Sequence, residues 1–200
     1  MDWIADTAAL EALYGQPGPA ATRKVARQLT PAYRRWVEAA RFCILSTVGP
    51  EGTDASPRGD DGPVVRVLDD GHLALPDWRG NDRIDSLRNV VRDLRVSLLF
   101  MVPGSGNVVR VNGEGRLTAD AAFRESFARQ GKLPRSVLVI RVGEVYFQCA
   151  RAILRSRLWG PDASAGLPTA GEILASLTEG EVGGAAYDSE WPERAAGTMW

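Results

Sequence analysis

The sequence predicts an α+β fold that is mainly β: an antiparallel, Greek-key-like barrel with peripheral helices. Three features point there. Short apolar runs with strand-like patterning follow one another through turns rich in Gly, Pro and Asp. Few helices fall between those runs, so the regular strand–helix alternation of a doubly wound parallel sheet is missing. Helical periodicity gathers mostly at the two ends, before Phe42 and after Ala150.

Taken in order, the chain opens with three helical segments, around Thr7–Tyr14, Ala20–Leu29 and Pro31–Ala40, and Pro31 suits a helix start. "FCILSTV" (Phe42–Val48) ends at the turn Gly49-Pro50-Glu51-Gly52 and leads into "TDASPRGD" (Thr53–Asp60) as a hairpin. "PVVRVL" (Pro63–Leu68) and "HLALP" (His72–Pro76) flank Asp69-Asp70-Gly71, a second hairpin signal. "RVSLLFMV" (Arg95–Val102), "NVVRVNGEGRLTA" (Asn107–Ala119) and "SVLVIRVGEVYFQCA" (Ser136–Ala150) complete the strands. A helix over 120–130 separates the last two, and further helices are expected near Arg151–Trp159 and Thr169–Thr178. The expected organisation is one domain over 1–200: a helical segment 1–41, a barrel 42–150, and C-terminal helices with a tail over 151–200. No internal repeat or low-complexity run interrupts it.

The segment between two of these strands carries chemistry. After His72–Pro76 comes the elbow Asp77-Trp78-Arg79-Gly80-Asn81-Asp82-Arg83, then Ile84, Leu87, Val90, Val91 and Leu94 at helical steps. Asn81 suits an N-cap, and Gly80 allows close backbone approach. Arg83 would then lie in the first turn, where the helix dipole disfavours a cation by roughly 0.3–1 kcal/mol. An anion held on the free N–H groups of the helix start would reverse that penalty. The alternative is that Asp82 and Asp85 neutralise the arginines on a solvated face.

Composition excludes several classes. Apolar and charged fractions of 44% and 24% are ordinary for a globular chain, and a net charge of −1 gives no basic body for nucleic acid. Nothing resembles a signal peptide at the start, and no apolar run is long enough to span a bilayer, so a membrane partner is not expected. Cys43 and Cys149 lie far apart in apolar strand-like contexts and read as free buried thiols, consistent with a cytoplasmic location.

The sole histidine, His72, borders a hairpin turn, a poor place for the base of a nucleophilic triad. One His and two distant Cys make a zinc site improbable, and no metal is expected. Gly131-Lys132 precedes Leu133, so no phosphate-binding P-loop is present, and Gly104-Ser105-Gly106 leads to a strand rather than a helix. No catalytic side chain stands out. An enzyme built on this chain would take its chemistry from a cofactor, one with an anionic handle for Arg58, Arg66, Arg79, Arg83 and Arg110.

These residues also carry a resemblance. "FCILSTVGPEGTDASPRGD", "VVRVLDDGHLALPDWRGNDRIDSLRNV", "VSLLF" and "VRVNGEGRLT" together resemble the pyridoxamine 5′-phosphate oxidase-like FMN-binding family. The likeness is closer to a bacterial branch with an Arg-Gly-Asp stretch and a segment like "CARAILRSRLW" (Cys149–Trp159). It spans roughly Leu10 to Gly160 and implies a split β-barrel homodimer with FMN in two clefts at the subunit interface. By resemblance, Pro76 and Asp77 run beside the flavin ring, while Gly80, Asn81 and Arg83 match the phosphate-binding position, with Arg66 a weaker candidate. Arg58 either enters the flavin cleft or pairs with Asp60 across the hairpin. Arg110 and Asn112 share one strand face, aligned with a family strand that contributes to the flavin site from one subunit or the other; the alternative is that both face water.

Three departures qualify the family's substrate. Gln148 stands where relatives often have histidine, Trp78 occupies a position usually smaller, and the C-terminal pyridoxal-phosphate motif is not recognisable. Vitamin B6 synthesis is therefore not expected. The expected function is an FMN-dependent oxidoreductase acting on a small molecule. The alternatives are a non-catalytic flavin store or sensor, or a deazaflavin-dependent reductase. The tail "YDSEWPERAAGTMW" (Tyr187–Trp200) follows a flexible Gly183-Gly184 and is expected to fold back near a flavin cleft, because Tyr187, Trp191, Met199 and Trp200 are costly to expose together.

Overall fold

A computed structural model describes residues 1–200. Its strands are β1 (Phe42–Gly49), β2 (Gly52–Gly59), β3 (Arg66–Val67), β4 (His72–Asp77), β5 (Arg95–Met101), β6 (Val108–Thr118) and β7 (Ser136–Gln148). They form one sheet ordered β2-β1-β5-β6-β7-β4-β3, with every neighbouring pair antiparallel. Alternation explains the inner face: Cys43, Leu45 and Thr47 of β1 are buried while their neighbours are half-buried. Phe100, Leu45, Leu73, Leu98, Leu138 and Ile140 fill the core, with Leu29, Val37 and Val90 added from outside the sheet. Each such side chain contributes roughly 1.5–3 kcal/mol by leaving water.

No backbone ladder closes the sheet. Its ends nevertheless meet, because Arg58 of β2 reaches Asp77 of β4 at 2.5 Å although four strands, β1, β5, β6 and β7, separate them in ladder order. The sheet is curled until its two ends face each other across side chains, and this seam is the split in the barrel. Curling needs a bend in the long strands, and a bulge between Asn112 and Gly113 supplies it. A Cβ on Gly113 would lie 2.0 Å from the Arg141 carbonyl oxygen, so only glycine fits there.

The helices are α1 (Thr7–Tyr14), α2 (Pro19–Arg23), α3 (Pro31–Ala39), α4 (Asp85–Arg92), α5 (Ala121–Glu125), α6 (Arg151–Ser156), α7 (Ala170–Leu177) and α8 (Gly184–Thr198). Pro31 opens α3 as expected, with the Thr30 hydroxyl accepting from the Tyr33 N–H. Several bounds differ from those the sequence predicts. The second helix stops at Arg23 because Ala26 exchanges both backbone hydrogen bonds with Val145, a tertiary pairing that overrides helix propensity. Only Arg66–Val67 of the predicted 63–68 strand joins a ladder; Val64 donates instead to the Ala40 carbonyl. The helix predicted over 120–130 ends at Glu125, and the one predicted to Trp159 ends at Ser156, with Arg157 left-handed.

The elbow helix begins at Asp85, not beside Asn81, so Arg83 precedes its first turn. Asp82 and Ile84 are both left-handed, with φ of 61° and 53°, and they turn the chain before a helix can start. Gly80 meets no close neighbour, so the crowding expected there is absent. The predicted tail is mostly helix α8. Its Gly183 is a tight corner rather than a flexible link, since φ is 107° and a Cβ would lie 2.4 Å from the Gly171 oxygen. No helix is long and apolar enough to cross a membrane.

Candidate functional site

The seam opens into a cleft of about 720 Å³, within the roughly 300–1,000 Å³ typical of small-molecule sites. Its walls come from the end of β2 (Arg58–Asp61), the end of β4 with the elbow (Pro76–Asp82), the start of α4 (Ile84, Leu87), the start of β7 (Ser136) with Arg135, and Met199 and Trp200. The topology explains the convergence. Antiparallel β4–β7 pairing sets Asp77 opposite Ser136, which puts Arg135 beside the elbow. The curl then brings β2 across from both.

The cleft carries many charges, and nearly all are matched. Arg58 pairs with Asp77 at 2.5 Å, Arg135 with Asp82 at 2.5 Å, and Arg129 with both Asp60 and Asp61. Arg79 alone has no ion pair or hydrogen bond. Arg58 is also braced from behind: its Nε donates to the Ser56 hydroxyl at 3.3 Å, Ser56 lies 2.9 Å from the buried Ser86, and Ser86 donates to Asp54. Trp78 Nε1 donates to Asp60 at 3.2 Å, and the Asp60 side chain is only 6% exposed.

The α4 terminus borders this cleft. No side chain caps it, and Asn81 spends its side-chain oxygen on the Arg83 N–H at 3.2 Å. The first-turn N–H groups therefore remain available to an anion. An isoleucine in the left-handed region, as at Ile84, costs of order 1–3 kcal/mol, and such strain gathers where a chain must present its backbone.

Arg58, Pro76, Asp77, Gly80 and Asn81 thus come together on the cleft. Arg58 pairs with Asp77 rather than with Asp60. Arg79, singled out for an anionic handle, lines the cleft too, whereas Arg66, Arg83, Arg110 and Asn112 lie outside its lining. Arg83 is 76% exposed and pairs with Asp85 at 2.9 Å. Arg66 binds the Ser126 hydroxyl and carbonyl and covers the Phe127 ring at 3.7 Å. Arg110 stands 5.3 Å from the Tyr146 ring centroid, and Asn112 donates to Glu144 at 2.7 Å. Arg135, Arg129 and Asp60 were not foreseen as parts of the site. Their signal was the strand register and the loop after α5, neither of which is visible before pairing is known.

Both cysteines are free, but only Cys43 is buried as expected; its thiol is pushed up to about 12 by burial. Cys149 is exposed, and its pKa is lowered, chiefly by a hydrogen bond from the Arg151 N–H. His72 sits outside the cleft against Asp69 at 3.0 Å. No group of three or more His, Cys, Asp or Glu side chains converges as a metal site would.

An α+β split barrel with a charged cleft at its seam defines the class. Residues 29–149 match the sequence profile of the pyridoxamine 5′-phosphate oxidase family, and the chain belongs to that family. No curated protein matches it. Among solved structures, HupZ of Group A Streptococcus is similar at 18% identity, covering 58% of this chain and 91% of its own, with a TM-score of 0.47. A candidate pyridoxamine 5′-phosphate oxidase from Lactobacillus delbrueckii is similar at 21% identity, with coverages of 60% and 95% and a TM-score of 0.49. An FMN-binding protein from Syntrophomonas wolfei is similar at 16% identity, with coverages of 57% and 86% and a TM-score of 0.44.

Proposed function

We propose that this protein binds FMN in the seam cleft and works as an FMN-dependent oxidoreductase on a small molecule, as a homodimer. The observation that carries the binding is the charge pattern: every aspartate lining the cleft has an arginine partner, which leaves the Arg79 cation unmatched in a cleft that an uncapped helix start also lines. A phosphate is the group that such a pair of features suits, through charge-assisted hydrogen bonds from the guanidinium and direct bonds from backbone N–H groups. In this reading Arg79, Gly80 and Asn81 hold the phosphate end. Pro76 and Asp77 offer backbone groups to the ring, and Arg58 stays fixed by Asp77 and Ser56. Bound FMN would supply the electron-transfer chemistry; the chain's task is to orient it and to limit water.

Arg110 and Asn112 lie away from this protomer's cleft, and a role for them fits a two-fold assembly in which a second copy completes each site. A non-catalytic flavin carrier is the second reading. It is favoured by the absence of a free acid or base: the cleft aspartates are all paired, and the only histidine is elsewhere.

Titration of purified protein with FMN, followed by flavin fluorescence, tests the binding. Quenching should saturate, and Arg79→Ala should weaken affinity by about 1.5–3 kcal/mol, the scale of hydrogen bonds to a charged group. No quenching, or binding indifferent to Arg79, rejects the assignment. Turnover of the bound flavin with reductants and small-molecule acceptors then separates the enzyme from the carrier.

A further inference from the structure

Residues 161–200 stand apart from the rest of the chain. Helices α7 and α8 pack chiefly on each other, clasped where the Thr169 hydroxyl and the Gly171 N–H donate to Asp188 at 2.5 and 2.8 Å. No hydrogen bond or ion pair joins this helical pair to the sheet or to the N-terminal helices. The run between Arg157 and Thr169 that connects it is exposed throughout.

What fastens the pair is Trp200. Its ring meets Trp78 edge-on, with centroids 5.4 Å apart, and lies under the Arg129 guanidinium at 4.6 Å. Arg129 is held by Asp60, which also accepts from Trp78. Four residues from four separate parts of the chain thus close a ring at the cleft wall, and Met199 and Trp200 line the cleft itself. Edge-on aromatic and cation–π contacts are adaptable and partly exposed, unlike a buried ladder.

We propose that residues 161–200 form a swinging arm whose Trp200 gates the cleft, setting how fast a flat, anionic ligand enters and leaves. Seated, Trp200 walls one side of the cleft against Trp78. Withdrawn, it opens that side, and nothing in the sheet has to break. The inference rests on the cleft being the FMN site, and the test separates the two.

The full chain and Trp200→Ala are compared by stopped-flow fluorescence with FMN as the probe. Association and dissociation should both accelerate about tenfold without Trp200, as removal of a gate requires; faster dissociation with level association would mark a lost ligand contact and overturn the gate. Trp200→Phe should retain most of the slow release, and the thermal transition of the sheet should not move. In parallel, full-length protein labelled with 5-fluorotryptophan gives a fluorine resonance for Trp200, assigned by its loss in Trp200→Phe. That line should shift in Trp78→Ala and shift again when FMN is added.

If FMN binds both proteins with equal rates, the gate is rejected and the cofactor site stands. If FMN binds neither, the cofactor site is rejected, and the fluorine line decides the gate. A Trp200 line that responds to Trp78→Ala, and broadens by exchange on warming, supports a seated, mobile ring. One that ignores Trp78→Ala overturns it.

Discussion

Arg79 and Arg83 lie four positions apart on one elbow, yet their surroundings give them different work. Arg79 faces the cleft without a partner, whereas Arg83 is turned outward and spends its charge on Asp85. Exposed pairs of this kind are worth about 0–1 kcal/mol, so Arg83→Ala should weaken FMN binding far less than Arg79→Ala. Isothermal titration of both variants checks this, and equal losses would restore the phosphate role that the family resemblance gives Arg83. The two cysteines offer a second contrast at this scale. A lowered pKa on an exposed thiol means more thiolate at neutral pH, and a pKa pushed up to about 12 by burial means almost none. Iodoacetamide at pH 7.5 should therefore label Cys149 in the native protein and leave Cys43 intact until unfolding, as read by peptide mass spectrometry.

At the scale of elements, the corner at Gly183 explains how the α7–α8 pair stays together. Any side chain there faces a left-handed backbone and a clash with the Gly171 oxygen and the Ala175 nitrogen. Gly183→Ala should cost the helical pair about 1–3 kcal/mol. Because the pair is joined to the barrel so lightly, the loss should appear as reduced helical ellipticity with the sheet's thermal transition unchanged. A single shared transition that moves as a whole would show that arm and barrel melt together. The contrast between α3 and α4 shows what local sequence can specify. Thr30 and Pro31 state the start of α3 in chemistry that needs no tertiary context. Nothing comparable marks α4, whose start is set by two left-handed residues, one of them an isoleucine that no propensity would place there. The same holds for α2, cut short by a pairing with Val145 more than a hundred positions away.

For the whole molecule, the strands were legible because alternation and turn chemistry are local, and so the antiparallel α+β architecture could be read before any coordinates. The cleft was legible mainly on its β4 side, where Pro76, Asp77, Gly80 and Asn81 sit in one contiguous stretch, and at Arg58 in the conspicuous Ser56-Pro57-Arg58-Gly59-Asp60 run. Arg135 and Arg129 arrive by register and by a loop, and no spacing in the sequence announces them; Trp200 arrives from a distant helix, and only the cost of exposing the tail's aromatics pointed to its folding back. A homodimer should persist at micromolar protein through a two-fold interface of roughly 2,000 Å² in total. Sedimentation that shows only a species of 21.6 kDa would contradict it.

The seam has a mechanical meaning as well. Along it the two ends of the sheet are joined by side chains alone, so β2 and β3 keep free edges that can breathe without tearing any ladder between them. A molecule lodged in the cleft touches both ends at once and behaves as a cross-strut. Its grip should therefore be felt beyond the residues it contacts, as slower amide hydrogen exchange along β2 and around β3. The solvent-bathed α1, which shares no part of the seam, should exchange at the same rate with or without it.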